Sequence, residues 1–108
     1  MSKYDSNITV SFSVKVTLRG LINSQTGMVE NITKLKEYME RAIMTKMDHK
    51  NLDQDVEFFK LHPSTTENVA YFIWKEMRAV MDKPELLYEV KIRETNNNSV
   101  TYRGEVND

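Results

Sequence analysis

The 108-residue chain has no cysteine. That excludes disulfides, a thiolate nucleophile and thiolate metal ligands, and it agrees with a reducing, cytoplasmic setting. Histidine is nearly absent too, at two residues. Two histidines without cysteine cannot close an ordinary zinc site unless carboxylates complete it. Three glycines and two prolines leave few places to break the chain, so its elements should be long. The formal net charge is only −1, so there is no overall electrostatic footprint for nucleic acid or an anionic membrane. No apolar run reaches the roughly 18 residues of a membrane span. The opening MSKYDSNITV lacks the apolar stretch of a secretory signal.

What is present is ordinary water-soluble composition, with 40% hydrophobic and 29% charged residues. The length suits a single domain over 1–108, with residues 1–7 expected to be disordered. Val10, Phe12, Val14, Val16 and Leu18 alternate with polar residues, which predicts a strand with one buried face over 9–20. From Ile32 the period lengthens: Leu35, Met39, Ala42, Ile43 and Met47 mark a helix that Asn31 can cap. A second helix follows Pro63, with Val69, Phe72, Ile73, Met77 and Val80 on its apolar stripe. Ser64-Thr65-Thr66-Glu67 fits a capping box at its start. LLYEVKIRET and SVTYRGEV, joined through Asn96-Asn97-Asn98, read as a hairpin. The order β–α–α–β–β predicts an α+β domain with its helices on one sheet face.

Three features could carry chemistry. Glu94 ends the row Tyr88, Val90, Ile92, away from the charges Glu89, Lys91 and Arg93. A carboxylate there is either at a frayed rim or partly buried and partnered, and it could grip a ligand edge offering two N–H donors. Thr65, Thr66 and Glu67 either cap a helix or leave its free N–H groups to a ligand. Asp48-His49 is either a helix end whose histidine suits the dipole, or a pair in which the acid orients the imidazole. His62, beside Pro63, reads as a loop residue, and Phe58 and Phe59 as core cover.

Three strings, TGMVENITKLKEYMERAIMTKMDHKNLDQDV, STTENVAYFIW and YEVKIRETNNNSVTYRGE, together resemble the 6-pyruvoyltetrahydropterin synthase family over about residues 14–105. The resemblance implies the tunnelling fold, in which an antiparallel sheet carries two helices on one face. Three such subunits join their sheets into a barrel and two trimers stack. It implies a lyase of tetrahydrobiopterin biosynthesis, acting on a carbon–oxygen bond to phosphate. The substrate would be 7,8-dihydroneopterin triphosphate and the products 6-pyruvoyltetrahydropterin and triphosphate. The family's proton-relay pair falls on Asp48 and His49, its pterin-anchoring glutamate on Glu94, and its pocket-lining segment on Thr65, Thr66 and Glu67. Zinc is the family's metal, and Mg²⁺ is expected with the triphosphate.

The chain departs from the family where its first two strands meet. The zinc-histidine positions fall on Ile8, Val10 and Val16, and the base cysteine is missing. The first strand is expected to be fused onto the second, leaving a truncated hairpin and a three-stranded sheet. The chain itself is expected to be inactive or impaired. The alternative is a non-catalytic shortened isoform that binds pterin or assembles with full-length subunits.

Overall fold

Alternation at Val14, Val16 and Leu18 becomes strand β2, Phe12–Leu18, with all three side chains fully buried. The computed structural model describes residues 2–7, 12–47, 52–94 and 98–105. Strand β1, Ser2–Asn7, runs antiparallel to β2, from Ser2 opposite Leu18 to Asn7 opposite Ser13. This corrects two expectations: residues 2–7 are strand rather than disordered, and β1 and β2 are separate strands rather than one fused strand. The described strands make a sheet of four, in the order β1-β2-β3-β4. SKYDSN lacks the apolar alternation that reveals a half-buried strand. At the sheet edge, backbone pairing holds such a segment without that signal.

The first helical region begins at α1, Ile32–Met39, where the Asn31 side chain accepts from the Thr33 N–H at 2.8 Å. It then widens into a π-helical turn over Glu40–Met44 and ends as α2, Thr45–Met47. The Thr45 N–H and hydroxyl both donate to the Glu40 carbonyl, so the wider turn leaves that acceptor satisfied. Two short helices follow, α3 (Leu52–Asp55) and α4 (Phe58–Leu61). The long helix α5 spans Thr66–Val80. Lys34 pairs with Asp82 at 2.6 Å and Lys46 pairs with Glu76, which ties the two helical regions together.

The chain returns through β3, Leu87–Glu94, and β4, Ser99–Tyr102, the expected hairpin. The Glu94 N–H donates to the Asn98 carbonyl at 2.8 Å and closes it. A bulge interrupts β3. Thr17 faces Glu89 but Leu18 faces Leu87, so Tyr88 is the extra residue. Leu87 therefore buries with Val90 and Ile92, while Tyr88 leaves the core row expected from strict alternation. Its ring lies 5.1 Å from the Arg19 guanidinium carbon and 5.4 Å from that of Arg103.

One apolar cluster fills the space between sheet and helices, with Val14, Val16, Val90 and Ile92 from the sheet and Leu35, Ile43, Ile73 and Met77 from the helices. Apolar surface removed from water contributes about 25 cal/mol per Å², so each fully buried aliphatic side chain contributes roughly 1.5–3 kcal/mol. No helix among the described residues is long and apolar enough to cross a membrane.

Candidate functional site

The local chemistry of α5 builds the site. Thr65 adopts extended backbone, φ −71° and ψ 160°, and its side chain accepts from the Asn68 N–H at 3.2 Å. The Asn68 side-chain amide reaches back to the Pro63 carbonyl at 2.8 Å. The cap is thus Thr65 rather than Ser64, and Asn68 rather than Glu67 closes it. The physical reason is that the N-cap oxygen must reach an N–H two or three residues on, and only extended backbone at Thr65 sets it there. Thr65→Ala is expected to cost about 1 kcal/mol of stability, read as a lower urea midpoint with an unchanged slope. A midpoint equal to that of the unaltered chain would show the helix start to be held by other contacts.

This arrangement frees Thr66, the first helical residue, for another partner. Its hydroxyl donates to Glu94 Oε1. The link joins the end of β3 to the start of α5 and explains why an acid closes an apolar row. Glu94 is half-buried, carries a charge-assisted hydrogen bond, and lies at a helix N-terminus, where the dipole favours negative charge. Among the described residues no donor takes its second carboxylate oxygen, which could accept from a ligand.

Glu67, one residue on, points elsewhere. It is exposed and borders a groove of about 590 Å³ between α5 and β4, with Phe58, His62, Asn68, Tyr71 and Tyr102. His62 lies in the loop after α4, as expected. Its ring stacks on Phe58 at 4.3 Å. The Tyr102 hydroxyl donates to the Glu105 carbonyl at 2.7 Å. Burial, then Tyr71 and Glu105, raise the Tyr102 phenol above its ordinary pKa, so it stays a neutral donor at pH 7. The backbone N–H of Arg103 donates to Glu105 at 3.0 Å and holds that carboxyl below its ordinary value. Gly104 turns the chain at φ +84°, and a Cβ there would lie 2.7 Å from Trp74 Cζ2. Tyr71 and Tyr102 line this groove, and sequence reasoning did not single them out. The available signal was Tyr102 following Val100 at period two on one strand face.

The structure thus brings Thr66 and Glu94 together, with Thr65 capping behind them and Glu67 turned to the neighbouring groove. Asp48 and His49 lie outside the described residues, in the segment that follows α2. The zinc expected from the family resemblance does not fit this donor set. Val16 is fully buried in the apolar core, and an aliphatic side chain offers no lone pair. Among the described residues no three His, Cys, Asp or Glu side chains converge.

The chain is similar to known proteins in both sequence and fold. The family model described as 6-pyruvoyl tetrahydropterin synthase matches residues 10–105. A 6-pyruvoyl tetrahydrobiopterin synthase of Drosophila melanogaster is 57% identical over 94 residues, covering 87% of this chain and 56% of that protein. The human protein of that name is 52% identical over 95 residues, covering 88% of this chain and 65% of its own length. A solved structure, 6-pyruvoyl tetrahydropterin synthase of Caenorhabditis elegans, superposes with a TM-score of 0.84 at 45% identity, over 87% of this chain and 66% of that one. The chain therefore spans 56% and 65% of the two curated relatives.

Proposed function

Because the chain belongs to the 6-pyruvoyl tetrahydropterin synthase family, we propose that it recognises a pterin through Glu94 and lacks part of the machinery to transform it. The observation that carries this reading is the half-buried Glu94 carboxylate, fixed by Thr66 at the start of α5. A pterin's amino-pyrimidinone edge presents two adjacent N–H donors. A carboxylate accepts both, and the ligand's hydrogen bonds offset its desolvation. Thr65 and Thr66 position the helix end against the ring, and Glu67 lines the approach.

The family's full reaction releases triphosphate from 7,8-dihydroneopterin triphosphate, with Mg²⁺ accompanying the phosphates, and yields 6-pyruvoyltetrahydropterin. It requires proton movement at the substrate side chain. Asp48 and His49 supply the relay half of that requirement. This chain has no cysteine to act as base, and Val16 stands at a position where the family places a metal ligand. Loss of a combined unit removes several orders of magnitude in rate. The reading is therefore a pterin-binding, catalytically impaired form that assembles with other copies in the cytoplasm. The ends of the sheet, β1 and β4, are the edges through which sheets would join.

The test takes the purified chain through calorimetry with neopterin, then through an assay with dihydroneopterin triphosphate, Mg²⁺ and a downstream reductase. Neopterin should bind, no tetrahydropterin should appear above background, and elemental analysis should find zinc far below one per chain. Turnover abolished by His49→Ala would overturn the impaired reading. Absence of neopterin binding by the folded chain would overturn the pterin reading.

A further inference from the structure

We propose that the sheet face turned away from the helices carries an oxyanion site for polyphosphate, built from Lys15, Lys91 and Arg93. The helices cover the face that buries Val14, Val16, Val90 and Ile92. By alternation, the other face presents Ser13, Lys15 and Thr17 on β2, and Glu89, Lys91 and Arg93 on β3. Register brings Lys15 directly opposite Lys91 and Ser13 directly opposite Arg93. Ser13, Lys15, Lys91 and Arg93 line one concavity of about 220 Å³.

The neighbouring strands offset only part of that charge. On β4, Thr101 lies opposite Lys91 and Ser99 opposite Arg93. On β1, Asp5 lies in register with Lys15 and Asn7 with Ser13. So Lys91 and Arg93 have no acidic neighbour in register. The acid on this same face of β3, Glu89, is engaged by Arg103 at 3.3 Å. Among the described residues none of the three cations takes part in an ion pair.

Like charges placed directly opposite destabilise a sheet, and Asp5 stands in register with Lys15 alone, so a bound anion would offset the repulsion that remains at Lys91 and Arg93. The surroundings suit phosphate. Ser13 adds a hydroxyl donor, Arg93 offers a planar fork, and Lys15 and Lys91 are half-buried, which restricts their stems. The cations also suit a chain of phosphates better than one. They occupy two rows about 6.8 Å apart along the strands, on strands about 4.8 Å apart, a spread that one tetrahedral ion does not bridge. The site lies on the opposite sheet face from Glu94 and stands independently of the pterin reading.

Calorimetry on the full chain at low salt tests it, using sodium triphosphate, inorganic phosphate and ATP. Triphosphate should bind at least about tenfold more tightly than phosphate, and Lys91→Gln or Arg93→Gln should each weaken it by about tenfold. Lys34→Gln, on a remote lysine paired with Asp82, and Glu94→Gln should leave it unchanged. ATP bound as tightly as triphosphate identifies a site that reads the tail of a triphosphate ester. ATP bound far more weakly identifies one for the free ion. Triphosphate should also raise the thermal midpoint of the unaltered chain but not that of the Lys91→Gln, Arg93→Gln double variant. Equal binding of phosphate and triphosphate, or affinity within about twofold in the double variant, would overturn the proposal.

Discussion

Glu94→Gln is expected to weaken neopterin binding by about 10- to 150-fold, the equivalent of about 1.5–3 kcal/mol for a hydrogen bond to a charged group. The substitution changes one oxygen into an NH₂ group and removes the charge. Gln retains one carbonyl oxygen, so the hydroxyl of Thr66 keeps an acceptor and the β3–α5 link survives. What is lost falls on the ligand. Two N–H donors of the pterin edge would meet one acceptor and one donor, leaving a desolvated donor facing another. Glu67→Gln is the natural control, because that side chain is exposed at the groove. Calorimetry reads both variants directly. Glu94→Gln with unchanged affinity would reduce Glu94 to a tie between strand and helix.

The second large effect concerns the core. Ile73→Ala should destabilise the chain by about 2–5 kcal/mol, measured by urea denaturation. Ile73 is fully buried on α5 within the cluster that includes Val90 and Ile92. Removing its branched side chain loses transfer free energy and leaves a void that two rigid layers close only in part. Domains of this size hold roughly 5–15 kcal/mol in total, so the variant should be near the edge of folding. Glu85→Ala, on an exposed residue, should stay within about 0.5 kcal/mol. A loss below about 1 kcal/mol at Ile73 would mean the sheet and helices repack readily.

Both effects trace to positions that a period betrays. Val90 and Ile92 alternate, and a carboxylate ending their row demands a partner. Val69, Phe72, Ile73, Met77 and Val80 recur at helical spacing, so α5 and its buried stripe were legible to within a residue or two. The hairpin was legible through its asparagines. Strand β1 was not, because an edge strand held by backbone pairing needs no apolar alternation. Tyr88 was misplaced for a different reason. A bulge inserts one residue into one strand, reverses the phase of everything before it, and leaves no mark on composition.

The sequence by itself determined the two main helical regions, strands β2, β3 and β4, the family and the unusual position of Glu94. These follow from local periodicity and from side-chain chemistry, which travel with the chain. Tertiary structure alone decided that Thr66 is Glu94's partner, 28 residues away. It decided that Thr65 caps the helix, that His62 stacks on Phe58, and that Lys15 faces Lys91 across a strand pair. Those contacts depend on register and on the angle at which α5 meets the sheet. Register and docking angle are set by how the whole core packs, and no short stretch of residues carries them.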